Sequence, residues 1–439
     1  MSVLQGETEI NPDPEEPSSV IGRAQPRLLS VLGPGLITGA SDDDPSGIAT
    51  YSQAGAQLGY SLGWTMLLTY PLMTAVQMIS ARIGRTTGRG IAGALRQHYP
   101  HWLVLSIVLP LLIANTINIG ADLGAMGDAT RLVIGGRSWL YVLLFAAVST
   151  VIQVAMQYTR YVAALKWLTL VLFAYVATLF MVKVPWGDAL YGLVVPAVHW
   201  NRDYLTTIVA VFGTTISPYL FFWQASEEAE DVRTRPRRKI LKRAPEQGEA
   251  ALQRIELDTF AGMGFSNLIA LAIIFTTAAT LNAHKITDIE TSAQAAEALR
   301  PIAGSLAETV FALGIIGTGF LSIPVLAGSA AYAMGEAQKW PIGLARQLME
   351  AKAFYATIAV STLVGMILNF TPINPIKALY WSAVINGVVA VPVMVIMMLM
   401  SSEPKVLGKF VVRGSLKLLG WASTIVMALA VIAMVVTSL

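Results

Sequence analysis

The sequence predicts an all-α polytopic membrane bundle of eleven helices, two of them broken in mid-span. Three observations predict it. Of 439 residues, 55% are hydrophobic and 13% charged, against about 25% charged in soluble domains; the mean hydropathy is +0.60. Eleven apolar runs reach or approach the roughly 20 residues that a helix needs to cross a bilayer. Two of these runs, five helices apart, are interrupted by proline and glycine near their midpoints.

In order, the runs fall near residues 29–57, 61–83, 102–133, 138–156, 161–184, 203–229, 257–281, 304–334, 352–370, 376–400 and 415–438. The longer ones must tilt, break or protrude. Residues 1–22 are polar, acidic and proline-containing, without the basic start and apolar core of a signal peptide. Residues 1–28 are therefore expected to be a disordered cytoplasmic tail, and 29–439 a single transmembrane domain. Within it, 29–184 and 203–400 are expected to form two inverted repeats of five helices, with 415–438 as an appended helix. Residues 84–100 and 285–300 read as short amphipathic helices on opposite faces of the membrane. Trp102, Trp139, Trp186 and Trp200 lie near run ends, as anchors of an aromatic belt do.

Orientation follows from the basic residues. Arg23 and Arg27 precede the first run, and Arg85, Arg89 and Arg96 lie between the second and third. Arg233, Arg235, Arg237, Arg238, Lys239, Lys242, Arg243 and Arg254 lie between the sixth and seventh; Lys405, Lys409 and Arg413 lie between the tenth and eleventh. All these connections fall on one side, predicting a cytoplasmic N-terminus and an extracellular C-terminus. Arg131 and Arg137 are the exceptions on the other side. The dense loop between the sixth and seventh runs reads first as a topology signal, with an anionic-lipid patch as the alternative.

Composition also excludes functions. There is no cysteine, so thiolate metal sites and disulfides are ruled out. All four histidines (His98, His101, His199 and His284) lie outside the apolar runs, which argues against a buried imidazole cluster. No nucleophile–base constellation or phosphate loop points to an enzyme. No prosthetic group and no nucleic acid are expected; membrane lipids are, and a monomer is favoured.

The chemistry gathers at the two breaks. In the first run stands Ser41-Asp42-Asp43-Asp44-Pro45-Ser46-Gly47, and in the sixth Phe212-Gly213-Thr214-Thr215-Ile216-Ser217-Pro218-Tyr219. Proline removes a backbone donor and clashes with the preceding turn, and carbonyls freed at mid-membrane depth must be satisfied by protein, water or an ion. Paired breaks five helices apart are the pattern of substrate bound between two discontinuous helices. Successive helical residues turn by about 100°, so at most two of the three aspartates face one cavity. Neither break holds a basic side chain, so the natural counter-charge is a bound cation. Every candidate ligand is oxygen, which suits hard cations such as magnesium, calcium or manganese. The first break offers Ser41, Asp42, Asp43, Asp44 and Ser46, and the second Thr214, Thr215, Ser217, Tyr219 and, further along, Gln224.

These stretches resemble a known family. LGPGLITGASDDDPSGIATYSQAGAQLG is similar to the first helix of the NRAMP divalent-metal transporters, with its Asp-Pro-Gly-Asn signature. VFGTTISPYLFFWQASE is similar to their sixth helix, which carries Met-Pro-His. The likeness extends along the chain in helix count, helix order and the basic loop after the sixth helix. It implies the LeuT-type fold and inward transport of divalent metal, generally with protons.

Carried over residue by residue, Asp44 matches the family's metal-binding aspartate, and Gly47 stands where the family has asparagine. Thr214 matches the position whose backbone carbonyl contacts the metal, and Ser217 replaces the methionine. Tyr219 replaces the histidine after the proline, and Gln224 falls where a second histidine is common. On the third helix Asp122 matches the proton-pathway aspartate; the acid expected three residues later is Ala125, and Asp128 follows. Asp122 and Asp128 are the candidates for a proton or polar path. Loss of the amide and thioether is expected to enlarge the cavity and remove the soft ligand, which suits an ion that keeps part of its water shell. The pattern resembles the NRAMP-related magnesium transporters, a prokaryotic branch, and implies uncoupled uptake of Mg2+ across the cell membrane. The alternatives are proton-coupled Mn2+ or Fe2+ symport, and transport of an organic amine held by Asp44.

Overall fold

The computed structural model describes residues 34–155, 172–235 and 237–438. The acidic tail, Arg23 and Arg27, the start of the first run, the end of the fourth and residues 161–171 of the fifth lie outside the described residues.

The first membrane helix is two helices, α1 (Pro34–Asp42) and α2 (Pro45–Leu58). α3 (Gly63–Thr87), the short α4 (Ile91–His98), α5 (His101–Ile134) and α6 (Ser138–Ala155) follow. α7 (Phe173–Met181) and α8 (Trp186–Val194) lead to the second broken helix, α9 (Arg202–Thr215) and α10 (Pro218–Thr234). The main helices of the remainder are α11 (Gly248–Thr280), short α12 (Ser292–Glu297), α13 (Ala307–Gln338), α14 (Lys352–Leu368), α15 (Pro375–Ser402) and α16 (Gly414–Ser438). No strand occurs among the described residues. Seven helical stretches among them are long and apolar enough to cross a membrane, and α6 and α14 are shorter apolar helices.

Where sequence and structure differ, local chemistry gives the reason. The seventh helix begins at Gly248, well before residue 257, because its polar first turns carry Arg254 to Glu228 on α10, 2.5 Å away. Residues 285–300 do not form one amphipathic helix. Lys285 has φ 63° and ends the preceding turn, and a Thr291–Gln294 capping box starts α12 afresh.

The basic connections gather at one end of the bundle. Arg85 donates to the Lys239 carbonyl at 2.9 Å, and Lys242 donates to the Lys405 carbonyl at 3.0 Å, joining the loops after α3, α10 and α15. Arg238 folds onto Asp231, and burial pushes its guanidinium down to about 10, so it stays charged at neutral pH. At the other end Asp128 pairs with Arg131 at 2.7 Å and accepts from Ser292 at 2.6 Å, fastening α5 to the start of α12. Trp102, Trp139, Trp186 and Trp200 are all exposed on the outside of the bundle.

A continuous apolar core runs from Ile48 on α2 to Met427 on α16. Inside it the broken helices cross: α1 packs on α10, and α2 on α9. α11 lies along both halves of the first break, while α5, α13 and α15 close the other side. Glycines permit the tightest crossings. A Cβ on Gly213 would sit 2.0 Å from the Ala383 carbonyl oxygen on α15, and one on Gly39 would sit 2.2 Å from the Gly262 oxygen on α11.

Candidate metal centre

Helix α1 ends at Asp42, Asp43 and Asp44 are non-helical, and Pro45 opens α2, where its missing N–H costs nothing. Asp44 is the N-cap in extended backbone (φ −69°, ψ 171°). Its Oδ1 accepts from the Gly47 amide and the Ser46 hydroxyl, both at 2.7 Å. The partial positive charge at the α2 N-terminus favours an anion at this place. The other carboxylate oxygen, Oδ2, accepts from Asn118 Nδ2 on α5 at 3.0 Å. Asp44 is 1% exposed.

The two preceding aspartates turn elsewhere. Asp42 Oδ2 accepts from the Ser266 hydroxyl on α11 at 2.5 Å, and Asp43 Oδ1 lies 3.2 Å from that hydroxyl. Asp42 Oδ1 and Asp43 Oδ2 are buried without a hydrogen-bond partner. The three carboxylates thus divide into a pair sharing Ser266 and a single one held by Asn118. Among the described residues, no three His, Cys, Asp or Glu side chains converge in the manner of a metal cage.

The second break spans Ile216 and Ser217, with Pro218 opening α10. The Ser217 hydroxyl donates to the carbonyls of Gly213 (2.5 Å) and Thr214 (2.9 Å), the carbonyls the break frees at the end of α9. Tyr219 donates to the Ser41 carbonyl at 3.1 Å, tying the second break to the end of α1. Gln224 reaches away from the break and donates to Thr259 on α11 at 3.0 Å.

Gly47 is where the breaks touch. A Cβ there would meet Thr214 Oγ1 at 3.1 Å, the Asp42 carbonyl oxygen at 3.2 Å and Asp44 Oδ1 at 3.4 Å. The sequence leads one to expect that this glycine enlarges the cavity. In this conformation the place of its missing side chain is instead ringed by three oxygens, the Thr214 hydroxyl, the Asp42 carbonyl and the Asp44 carboxylate.

Of the two α5 acids, only Asp122 belongs to this centre. It accepts from Ser322 on α13 at 2.8 Å, lies within electrostatic reach of Asp44, and has a buried Oδ1 without a partner. Asp128 is held by Arg131 and Ser292 instead. Three of the four acids ending α10 are likewise engaged: Glu228 with Arg254, Asp231 with Arg235 at 3.2 Å, and Glu230 with Tyr332 and the Ala345 amide at 2.7 Å.

Asn118, Ser266, Ser322 and Asn386 supply hydrogen bonds to the centre, and none of them stands in either break motif. Asn386 on α15 faces Asn118 Oδ1 at 3.4 Å. The one signal available in the sequence is Asn115, Asn118 and Asp122 at helical spacing in an otherwise apolar run. Asn115 bonds the Leu326 carbonyl (2.9 Å) and Ser329 (2.7 Å), so this residue of the stripe, like Asp122, faces α13.

Known proteins share this architecture. The divalent metal cation transporter MntH of Deinococcus radiodurans is 24% identical over 435 residues, 94% of each chain. A crystal structure of a manganese transporter from Eremococcus coleocola superposes with a TM-score of 0.71 at 15% identity, covering 93% of this chain and 87% of that one. MhsT in complex with L-phenylalanine superposes with a TM-score of 0.58 at 13% identity, covering 92% and 97%. The fold is therefore of the LeuT type. The family model described as natural resistance-associated macrophage protein-like matches residues 35–437, and the chain belongs to this Nramp family.

Proposed function

We propose that the chain imports divalent metal cations by alternating access, that Mg2+ is its preferred substrate, and that no proton is obligatorily coupled. The observation that carries this is the meeting of the two breaks at Gly47 and Thr214, beside a single capping carboxylate, Asp44. The groups offered there are the Asp44 carboxylate, the Thr214 carbonyl and the hydroxyls of Ser46 and Ser217. All are oxygens, with no thioether or imidazole. One carboxylate with neutral oxygens is too sparse a shell for a fully stripped divalent ion, whereas Mg2+ keeps several waters. Asp42 and Asp43, with one open oxygen each, would take water-mediated contacts as the breaks part around a hydrated ion.

Relatives named as divalent metal cation transporters support the substrate class. By the positive-inside tendency we place the basic end in the cytoplasm, so the membrane potential favours entry by about 2.3 kcal/mol per charge per 100 mV. We also propose that residues 29–400 act as two inverted repeats of one domain, working as a monomer.

One observation favours the second reading, proton-coupled Mn2+ or Fe2+ symport. Asn118 joins Asp44 to α5, one turn before the buried Asp122. Uptake of Mg2+, Mn2+ and Ca2+ into proteoliposomes, with internal pH followed by dye, separates the two. Mg2+ entry at constant pH is expected; Mn2+ entry alone, with acidification, contradicts the proposal.

A further inference from the structure

The basic end of the bundle contains a cavity of about 910 Å³, partly open to solvent. Three segments line it: the end of α3 with α4, the loop after α10, and the end of α13 with the turn that follows. Six cations face it: Arg89, Arg96, Arg233, Lys242, Arg243 and Lys339. A topology signal explains why such residues lie on this side of a membrane. It does not explain why residues distant in sequence are folded around one concavity.

Against these six charges the lining sets one carboxylate, Glu336, within electrostatic reach of Arg89 and Arg233. Among the described residues none of the six forms an ion pair. Arg96 contacts the ring of His101, Arg233 donates to the Gly88 carbonyl at 3.4 Å, and Lys242 to the Lys405 carbonyl at 3.0 Å. The two carboxylate oxygens of Glu336 are occupied by the backbone amides of Gly90 (2.6 Å) and Gly93 (2.9 Å) at the start of α4. Glu336 thus anchors the wall of the cavity and offsets one positive charge at most, so an excess of cationic side chains faces the cavity. Trp340, Ile240 and Ile342 add an apolar side.

We infer that this cavity is a binding site for an anion bearing two or more phosphate groups. The guanidinium fork matches phosphate oxygens two at a time, and one carboxylate ligand could not balance six cations. The volume falls within the range of small-molecule sites, roughly 300–1,000 Å³. The anion would bridge the ends of α3, α10 and α13. The same chemistry is offered by a soluble polyphosphate, including a nucleotide, and by a lipid headgroup with two phosphates.

The test uses the purified full chain with EDTA, so that no divalent cation is present and the result is independent of transport. Sodium triphosphate is titrated by calorimetry into detergent-solubilised protein. Separately, cardiolipin is titrated into nanodiscs otherwise made of phosphatidylcholine. The comparison protein is R243Q/K339N. Both side chains are exposed and make no hydrogen bond to the described residues, and asparagine tolerates the φ of 60° at Lys339. Triphosphate binding with a Kd below about 100 μM, weakened about tenfold or more in the double variant, supports the site with a soluble ligand. Cardiolipin binding alone, weakened in the same way, supports it with a lipid headgroup. No binding of either, or equal binding by the wild-type and variant proteins, overturns the inference.

Discussion

Asn118 donates a 3.0 Å hydrogen bond to Asp44, so a side chain in the middle of α5 holds the carboxylate that caps the broken first helix. The bond fixes which oxygen of Asp44 turns toward α5 and which turns toward the α2 amides. A hydrogen bond to a charged acceptor is worth about 1.5–3 kcal/mol. Asn118→Ala is expected to raise the KM for Mg2+ uptake about tenfold or more, and to lower the melting temperature as well, because it leaves a buried carboxylate oxygen without its donor. An unchanged KM would show that Asp44 is oriented without α5.

Gly47 and Ser217 stand where a carboxamide and a thioether occur in the metal-transporter signature that the sequence resembles. Restoring both in Gly47→Asn/Ser217→Met offers a soft ligand and narrows the space beside Thr214, whose Oγ1 would lie 3.1 Å from a Cβ at residue 47. Soft donors favour the later transition metals over Mg2+. The ratio of Mn2+ to Mg2+ uptake is expected to rise about tenfold or more. A loss of both activities in equal proportion would mean that the substitutions merely block the site.

The breaks themselves are legible in the sequence because their chemistry is local. Pro45 and Pro218 each open a helix, and Asp44 sits three residues before the amide it caps. The partnership of Asp128 with Arg131 is legible for the same reason, since residues three apart share a helix face. Asn118, Ser266 and Ser322 are harder. Asn118 has only the stripe it shares with Asn115 and Asp122 to mark it, and a lone hydroxyl such as Ser266 or Ser322 gives no period from which to tell a bundle-facing position from a lipid-facing one. The effect of Gly47 is misleading in sequence because an absent side chain reads as space, and only the meeting of the two breaks shows that oxygens of Thr214, Asp42 and Asp44 crowd around it.

Ser266 serves two buried aspartates with one hydroxyl. Removing it leaves Asp42 and Asp43 without that donor, and an unsatisfied buried polar group costs about 1–3 kcal/mol. Ser266→Ala is expected to lower the melting temperature measured by intrinsic fluorescence in detergent. Mg2+ should restore part of the loss, because a bound cation compensates the same carboxylates. A variant as stable as the parent in EDTA would show that Ser266 is not needed there.

Close helix crossings make a prediction independent of metal. Gly213→Ala brings a methyl group to 2.0 Å from the Ala383 carbonyl, and backbone must move to accept it. Folded yield should fall sharply, whereas Gly187→Ala, in a place with nothing within 4 Å, should express like the parent. Size-exclusion profiles of the two variants check this.

At the end away from the basic loops, Lys377 donates to Glu290 at 2.8 Å and holds its carboxyl below the usual range. A depressed carboxyl contributes stability that is present above the unfolded-state value of about 4.3 and disappears as pH falls through the folded value. The pair is exposed, so the effect is small. The melting-temperature difference between the parent and Lys377→Gln should therefore shrink as pH drops from neutral toward about 3, below the unfolded-state value. A difference that grows on acidification would contradict the assignment.

The most direct test of the metal centre is to locate the ion. Mn2+ is soaked into crystals of the protein as an anomalous scatterer, and Mg2+ is then added in excess as competitor. The account predicts one peak between the two breaks, within coordination distance of Asp44 and the Thr214 carbonyl, and its disappearance when Mg2+ is added. A peak at another group of acids, or one at Asp44 that excess Mg2+ leaves untouched, would contradict it.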